Sequence, residues 1–129
     1  MKGKNGMTEE AKKKLEDGGV NVEEAMQRFM NNDKLLEGFL KKFVSDESYG
    51  NLVKAMEEKD CDKAFTEAHT LKGVTGNLAL SRLHSVISEQ TDYLRGKDFE
   101  TAAAMMPQVK TLYEEVLETI KEVYGDDVS

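Results

Sequence analysis

Residues 61–78 read CDKAFTEAHTLKGVTGNL, and the reading of this stretch decides the fold. At about 100° per residue along a helix, Ala64, Ala68, Leu71, Val74 and Leu78 fall on one side, an apolar stripe that needs a partner to cover it. His69 lies nearly opposite. Lys72, Gly73 and Gly76 share its side at i+3, i+4 and i+7, and Asp62 and Phe65 also lie there. Each mid-helix glycine costs roughly 1 kcal/mol against alanine. The stretch therefore gives up helix stability on the face that carries its histidine.

Working outward, the rest of the chain keeps the same helical rhythm. Thr8 caps a short helix over 9–16, and Asp17-Gly18-Gly19 stops it; Asn21 caps a second over 22–29. After the break at Asn31-Asn32-Asp33 come Leu35, Leu36, Phe39, Leu40, Phe43 and Val44, then Leu52, Val53 and Met56. These predict one helix over 33–59, bent in the segment SDESYGN (45–51). Asp60 and Asp62 open the helix over 61–78. The next starts at Ser81, with Leu83, Val86, Ile87 and Leu94 inward, and ends at Arg95-Gly96-Lys97-Asp98. The last runs over 99–124, with Val109, Leu112, Val116, Leu117, Ile120 and Val123 as its stripe, kinked or split ahead of Pro107. Four long helices with short connections predict an all-α, antiparallel four-helix bundle carrying additional short N-terminal helices. The expected organisation is a flexible lead over 1–7, a bundle over 8–125 and a loose tail over 126–129.

Composition narrows the function. A chain of 129 residues is the size of one domain, and Lys+Arg 18 against Asp+Glu 25 leaves a net charge of −7. That balance argues against a nucleic-acid partner, which calls for a basic face. Cys61 is the sole cysteine, so no intrachain disulfide forms. His69, His84 and Cys61 have no metal-ligand spacing, and the methionines read as core filling. No apolar run approaches a membrane span and no signal peptide is present, so the expected location is cytoplasmic. No phosphate-binding glycine loop occurs, so no ATP-driven kinase activity, enzyme role or intrinsic cofactor is expected.

The face of His69 suits group transfer. An exposed neutral imidazole is a competent nucleophile near neutral pH. A phosphoryl group on its outer nitrogen carries negative charge, which Lys72 one turn away offsets. The missing side chains of Gly73 and Gly76 let another protein's backbone approach. Phe65, one turn before His69, is either an anchor for that partner or a flank of the core. Ser88 and Arg95, on the next helix, are candidates for the same rim by position alone. His84 reads as a polar surface residue.

The run His69-Thr70-Leu71-Lys72-Gly73, preceded by Ala68 and followed by Asn77-Leu78, resembles the phosphoacceptor motif of histidine-containing phosphotransfer (HPt) domains. NDKLLEGFLKKF (32–43) resembles the family's helix ahead of the site, and MEEKDCDKAFTEAHTLKG (56–73) its approach to the histidine. The similarity runs over roughly 20–124. It implies a four-helix bundle with His69 as phosphoacceptor, Lys72 steadying the phosphoryl group and Gly73 giving the partner access. The implied partners are receiver domains of response regulators or hybrid kinases, whose aspartate donates and accepts the phosphoryl group and whose Mg²⁺ assists. The family usually has glycine where this chain has Ala79. It often has Glu or Gln facing the histidine's inner nitrogen, and counting along the chain puts Thr91 there, with Gln90 beside it. The expected protein is a stand-alone, monomeric carrier, because the chain holds no kinase or dimerisation segment. The alternatives are a phosphoacceptor domain of a chemotaxis-type kinase, a module that occupies a receiver without being phosphorylated, and a plain structural bundle.

Overall fold

A computed structural model describes residues 7–125, and among them every regular element is an α-helix. In chain order these are α1 (Glu9–Asp17), α2 (Val22–Arg28), α3 (Asp33–Val44), α4 (Ser48–Glu57), α5 (Cys61–Asn77), α6 (Ser81–Arg95), α7 (Phe99–Ala104) and α8 (Met106–Tyr124). The starts follow from side-chain caps: Thr8 Oγ1 accepts from Ala11 N at 3.0 Å, Asn32 Oδ1 from Leu35 N at 3.0 Å and Asp60 Oδ1 from Lys63 N at 3.0 Å. Each such cap contributes about 1 kcal/mol.

Two expected helices are divided. The helix expected over 33–59 is cut after Val44, not bent. Ser45 N closes α3 on Lys42 O, and the Asp46 carboxylate accepts from Ser48 N at 2.8 Å. A short acidic side chain has taken over a donor that the helical ladder would have used. The segment expected over 99–124 breaks at Met105, which places Pro107 in the first turn of α8. There its missing N–H costs no intrahelical bond.

The helices pack as rods of one bundle, α4 on α5, α5 on α6, α6 on α7 and α8, and α8 on α3. The α5–α6 pair is antiparallel, as its cross-contacts show. Asp62 meets Lys97 (2.6 Å), Phe65 meets Arg95 (5.4 Å), and Thr75 meets His84 (3.2 Å), one number rising as the other falls. α4 covers the opposite flank of α5, and α3 closes the ring on α8, where Phe43 packs edge-on against Tyr113 at 5.8 Å. Leu36, Leu40, Leu52, Leu71, Ile87 and Ile120 are wholly buried between the rods. On α3 only part of the apolar set turns inward, since Leu35 and Phe39 are each 42% exposed.

The N-terminal helices are fastened to this ring. α1 lies along α8, and the α1–α2 junction reaches the α5–α6 turn, where Asn21 N donates to Ala79 O (2.8 Å) and Arg82 donates to Asp17 O (2.5 Å). Ala79 sits at φ 56°, the left-handed conformation that a glycine adopts freely. For alanine this costs roughly 1–2 kcal/mol. Its methyl is buried, which returns about 0.8 kcal/mol. The departure from the family's glycine thus leaves the turn intact at a small net cost. Met7, expected in the lead, packs against the core. The rest of the expected lead (1–6) and the tail (126–129) lie outside the described residues.

Candidate functional site

The phase of α5 is set by its buried line, Ala64, Ala68, Leu71 and Thr75. Thr75 takes the inward place expected of Val74, which is only half-buried. With α4 on one flank and α6 on the other, the remaining stripe faces outward and carries His69, which is exposed. Its ring tilts against Phe65, centroids 5.8 Å apart. Among the described residues neither ring nitrogen has a hydrogen-bond partner.

The two residues expected to orient that ring do something else. Thr91 is buried, and its hydroxyl donates to Ile87 O of its own helix at 2.7 Å. Gln90 is also buried and donates through Nε2 to Ala102 O (3.0 Å) and Met106 Sδ (3.1 Å), leaving Oε1 without a partner. Both lie on the inward line of α6 with Ile87 and Leu94. Thr91 is satisfied within α6 and Gln90 by α7 and α8, so neither is bonded to the histidine.

Lys72 is half-buried and has no ion pair among the described residues. A helical side chain leans toward the preceding turn, which here is the turn of His69. Two acids of α5 and α6 are engaged elsewhere. Asp92 pairs with Arg95 at 2.6 Å, and Asp62 is bonded to Lys97, which lowers the carboxyl's pKa first through that hydrogen bond and then through its charge. Gly73 is open, and a Cβ added there would meet nothing within 4 Å.

Gly76 is a correction. It was expected to give a partner room, but the space over it belongs to His84, whose Cε1 and Nδ1 would stand 3.0 and 3.2 Å from an added Cβ. His84 is accordingly half-buried instead of a free surface residue. Ser88, expected on the rim, puts its hydroxyl 3.4 Å from His84 Nε2. Phe65 is packed partly against the core, with the Arg95 guanidinium over its ring. Phe65, Arg95 and His69 border one shallow hollow, so these two expected docking residues do lie beside the histidine.

The sequence reading missed an apolar cleft of about 550 Å³ beyond Gly73. Phe29, Phe39, Val74 and Leu78 line it, with Arg28 and Lys42 among its polar groups. The available signal was the width of the apolar arc on α3. Leu36, Leu40 and Phe43 already satisfy the core, which leaves Leu35 and Phe39 without an inward role.

The Hpt domain family model matches residues 34–119, from the first turn of α3 well into α8. No curated protein and no solved structure matches the chain. Among the described residues no helix is long and apolar enough to cross a membrane, and no group of three His, Cys, Asp or Glu side chains is placed to hold a metal. A helical bundle whose exposed histidine heads an H-x-x-K-G turn, matched over most of its length, belongs to the Hpt domain family, the histidine phosphotransfer domains of phosphorelays.

Proposed function

We propose that the protein is a stand-alone phosphoryl carrier in which His69 takes a phosphoryl group from the aspartyl phosphate of one receiver domain and yields it to another. The observation that carries this reading is the exposed imidazole with both nitrogens unbonded, followed on the same face by Lys72 and the open Gly73. The unprotonated ring nitrogen supplies the electron pair for in-line attack on phosphorus. The P–O bond to the aspartate breaks, its electrons stay on the carboxylate, and an N–P bond forms. The second ring nitrogen faces no protein acceptor, so its proton exchanges with water.

Charge on the transferring group is met mainly by the receiver's own Mg²⁺ and lysine, with Lys72 adding a cation from the carrier side. The protein needs no cofactor of its own for this. Gly73 admits the receiver's backbone, while Phe65, Arg95 and the cleft at Phe39 and Val74 widen the contact. A monomer in the cytoplasm fits this role, because two receivers must reach the same face in turn.

The test is transfer of labelled phosphate from a phosphorylated receiver domain to the wild type and to His69→Gln. Acid-labile label on the wild type alone is expected. Label on both proteins, or on neither when the receiver is a true partner, refutes the carrier reading.

A further inference from the structure

His84 and Gly76 form a wedge that no part of the phosphotransfer motif explains. The imidazole comes from the first turn of α6 and lies over Gly76 so closely that an added Cβ would press against it. Its Nδ1 is 3.1 Å from Lys72 O and 3.2 Å from Thr75 Oγ1, and its Nε2 is 3.4 Å from Ser88 Oγ. A carbonyl oxygen only accepts, so Nδ1 carries the proton and donates to Lys72 O. In the neutral ring Nε2 is then the acceptor, and the Ser88 hydroxyl donates to it. The Thr75 hydroxyl, wholly buried, donates to the same Lys72 carbonyl at 3.1 Å. Two side-chain donors therefore converge on the main chain of Lys72, one turn after His69 on the same helix.

The reason lies in the softness of that turn. Gly73 must be small for a partner to approach, and a helix with glycine there resists bending and fraying less than one with alanine. Gly76 weakens the helix again three residues on, but what it admits is the ring of His84. That ring clamps the carbonyl of Lys72 from the neighbouring helix. We propose that His84 is a positioning residue for phosphoryl transfer: seated on Gly76, it holds the Lys72 backbone so that the lysine meets the phosphoryl group on His69. The proposal rests on the carrier reading for its effect on transfer, and stands apart from it in its effect on the helix.

The experiment measures two quantities on the full chain. One is amide hydrogen exchange, residue by residue, along α5. The other is the rate of transfer from a phosphorylated receiver domain, for the wild type, His84→Leu, His84→Asn, Lys72→Ala and the double variant Lys72→Ala/His84→Leu. Asparagine places an N–H close to where Nδ1 stands, while leucine fills the seat without a donor. Loss of one hydrogen bond predicts about 3- to 10-fold faster exchange at residues 73–77 in His84→Leu, with distant helices unchanged. Transfer is expected to slow by a similar factor of about 3 to 10. Asparagine should restore both, and His84→Leu should have no further effect once Lys72 is alanine. Wild-type exchange in His84→Leu overturns the clamp. Faster exchange of the expected size with wild-type transfer overturns the positioning role, as does a full His84→Leu effect in the Lys72→Ala background. A wild type that takes no label from a competent receiver refutes the carrier reading instead, and the exchange arm still decides the clamp.

Discussion

Replacing Gly73 with alanine separates the two demands placed on α5. The residue lies in the helix interior, and an added Cβ meets nothing within 4 Å, so the folded protein accommodates it without a clash. Helix propensity then favours alanine by about 0.8–1.0 kcal/mol. With an unfolding entropy of about 2.1 cal/mol/K per residue over 129 residues, 1 kcal/mol corresponds to a rise of about 4 °C in Tm. The methyl stands on the outward stripe with His69, where on the proposed carrier reading the receiver's backbone comes to bring its aspartyl phosphate in line. Overpacking at a tight contact costs roughly 1–3 kcal/mol, so transfer should slow by about fivefold or more. Gly50 is the control, since it is also within a helix and open on its Cβ side, but on α4 and not on the helix that carries His69. Gly50→Ala should raise Tm comparably and leave transfer unchanged. The assay pairs thermal unfolding by circular dichroism with single-turnover transfer from a phosphorylated receiver. If Gly73→Ala is more stable and transfers at the wild-type rate, the access argument is wrong. If it is less stable, the helix geometry at Gly73 is wrong.

Three further perturbations probe the frame around the site. Gly18→Ala should lose about 1–3 kcal/mol in urea unfolding, because its Cβ would come within 2.7 Å of Thr119 Cβ and Cγ2 on α8 while φ −86° suits alanine; an unchanged midpoint would mean that α1 is not seated there. Burial first, then Glu37 and Asp33, pushes the Tyr124 phenol up to about 12, and its hydroxyl has no hydrogen-bond partner. The neutral phenol is thus favoured in the folded state, so this contribution is full below the ordinary value of 10.0 and is lost as pH rises through about 12. Tyr124→Phe should flatten stability across that window without lowering it at neutral pH, and a drop of more than about 1 kcal/mol at pH 7 would show a hydroxyl bond that the geometry lacks. Phe39→Ser removes a ring that is 42% exposed and tilted against Phe29 with centroids 5.2 Å apart; the receiver concentration needed for half-maximal transfer should rise several-fold, and an unchanged value would take the cleft out of the docking surface.

The line of His69, Lys72 and Gly73 was legible because helix phase is a local property. Ala64, Ala68 and Leu71 set that phase, and everything opposite them had to face outward. The caps at Thr8, Asn21, Asn32 and Asp60 were legible for the same reason, since each is a short side chain meeting its own backbone. Contributions from other helices were not. A wheel drawn for α5 shows a gap at Gly76 but cannot show His84 arriving from α6 to fill it. Thr91 was placed correctly on α6 by counting, yet its direction depends on how α7 and α8 fold over that helix. The break at Ser45–Glu47 turned on a contest between the Asp46 carboxylate and the helical ladder, which composition leaves undecided.

The bond from Asn21 to the carbonyl of left-handed Ala79 draws a boundary that sequence similarity does not. The family match begins at residue 34, but the turn that ends α5 is held by the segment before it. Leu15, Val20, Val22 and Ala25 are buried in the same core as Leu80 and Leu83, so the cooperative unit is wider than the recognisable one. A fragment cut at the matched limits would keep the whole motif and lose the clasp at its end. Changes in the α1–α2 segment can therefore retune that turn while every residue of the phosphotransfer signature stays the same.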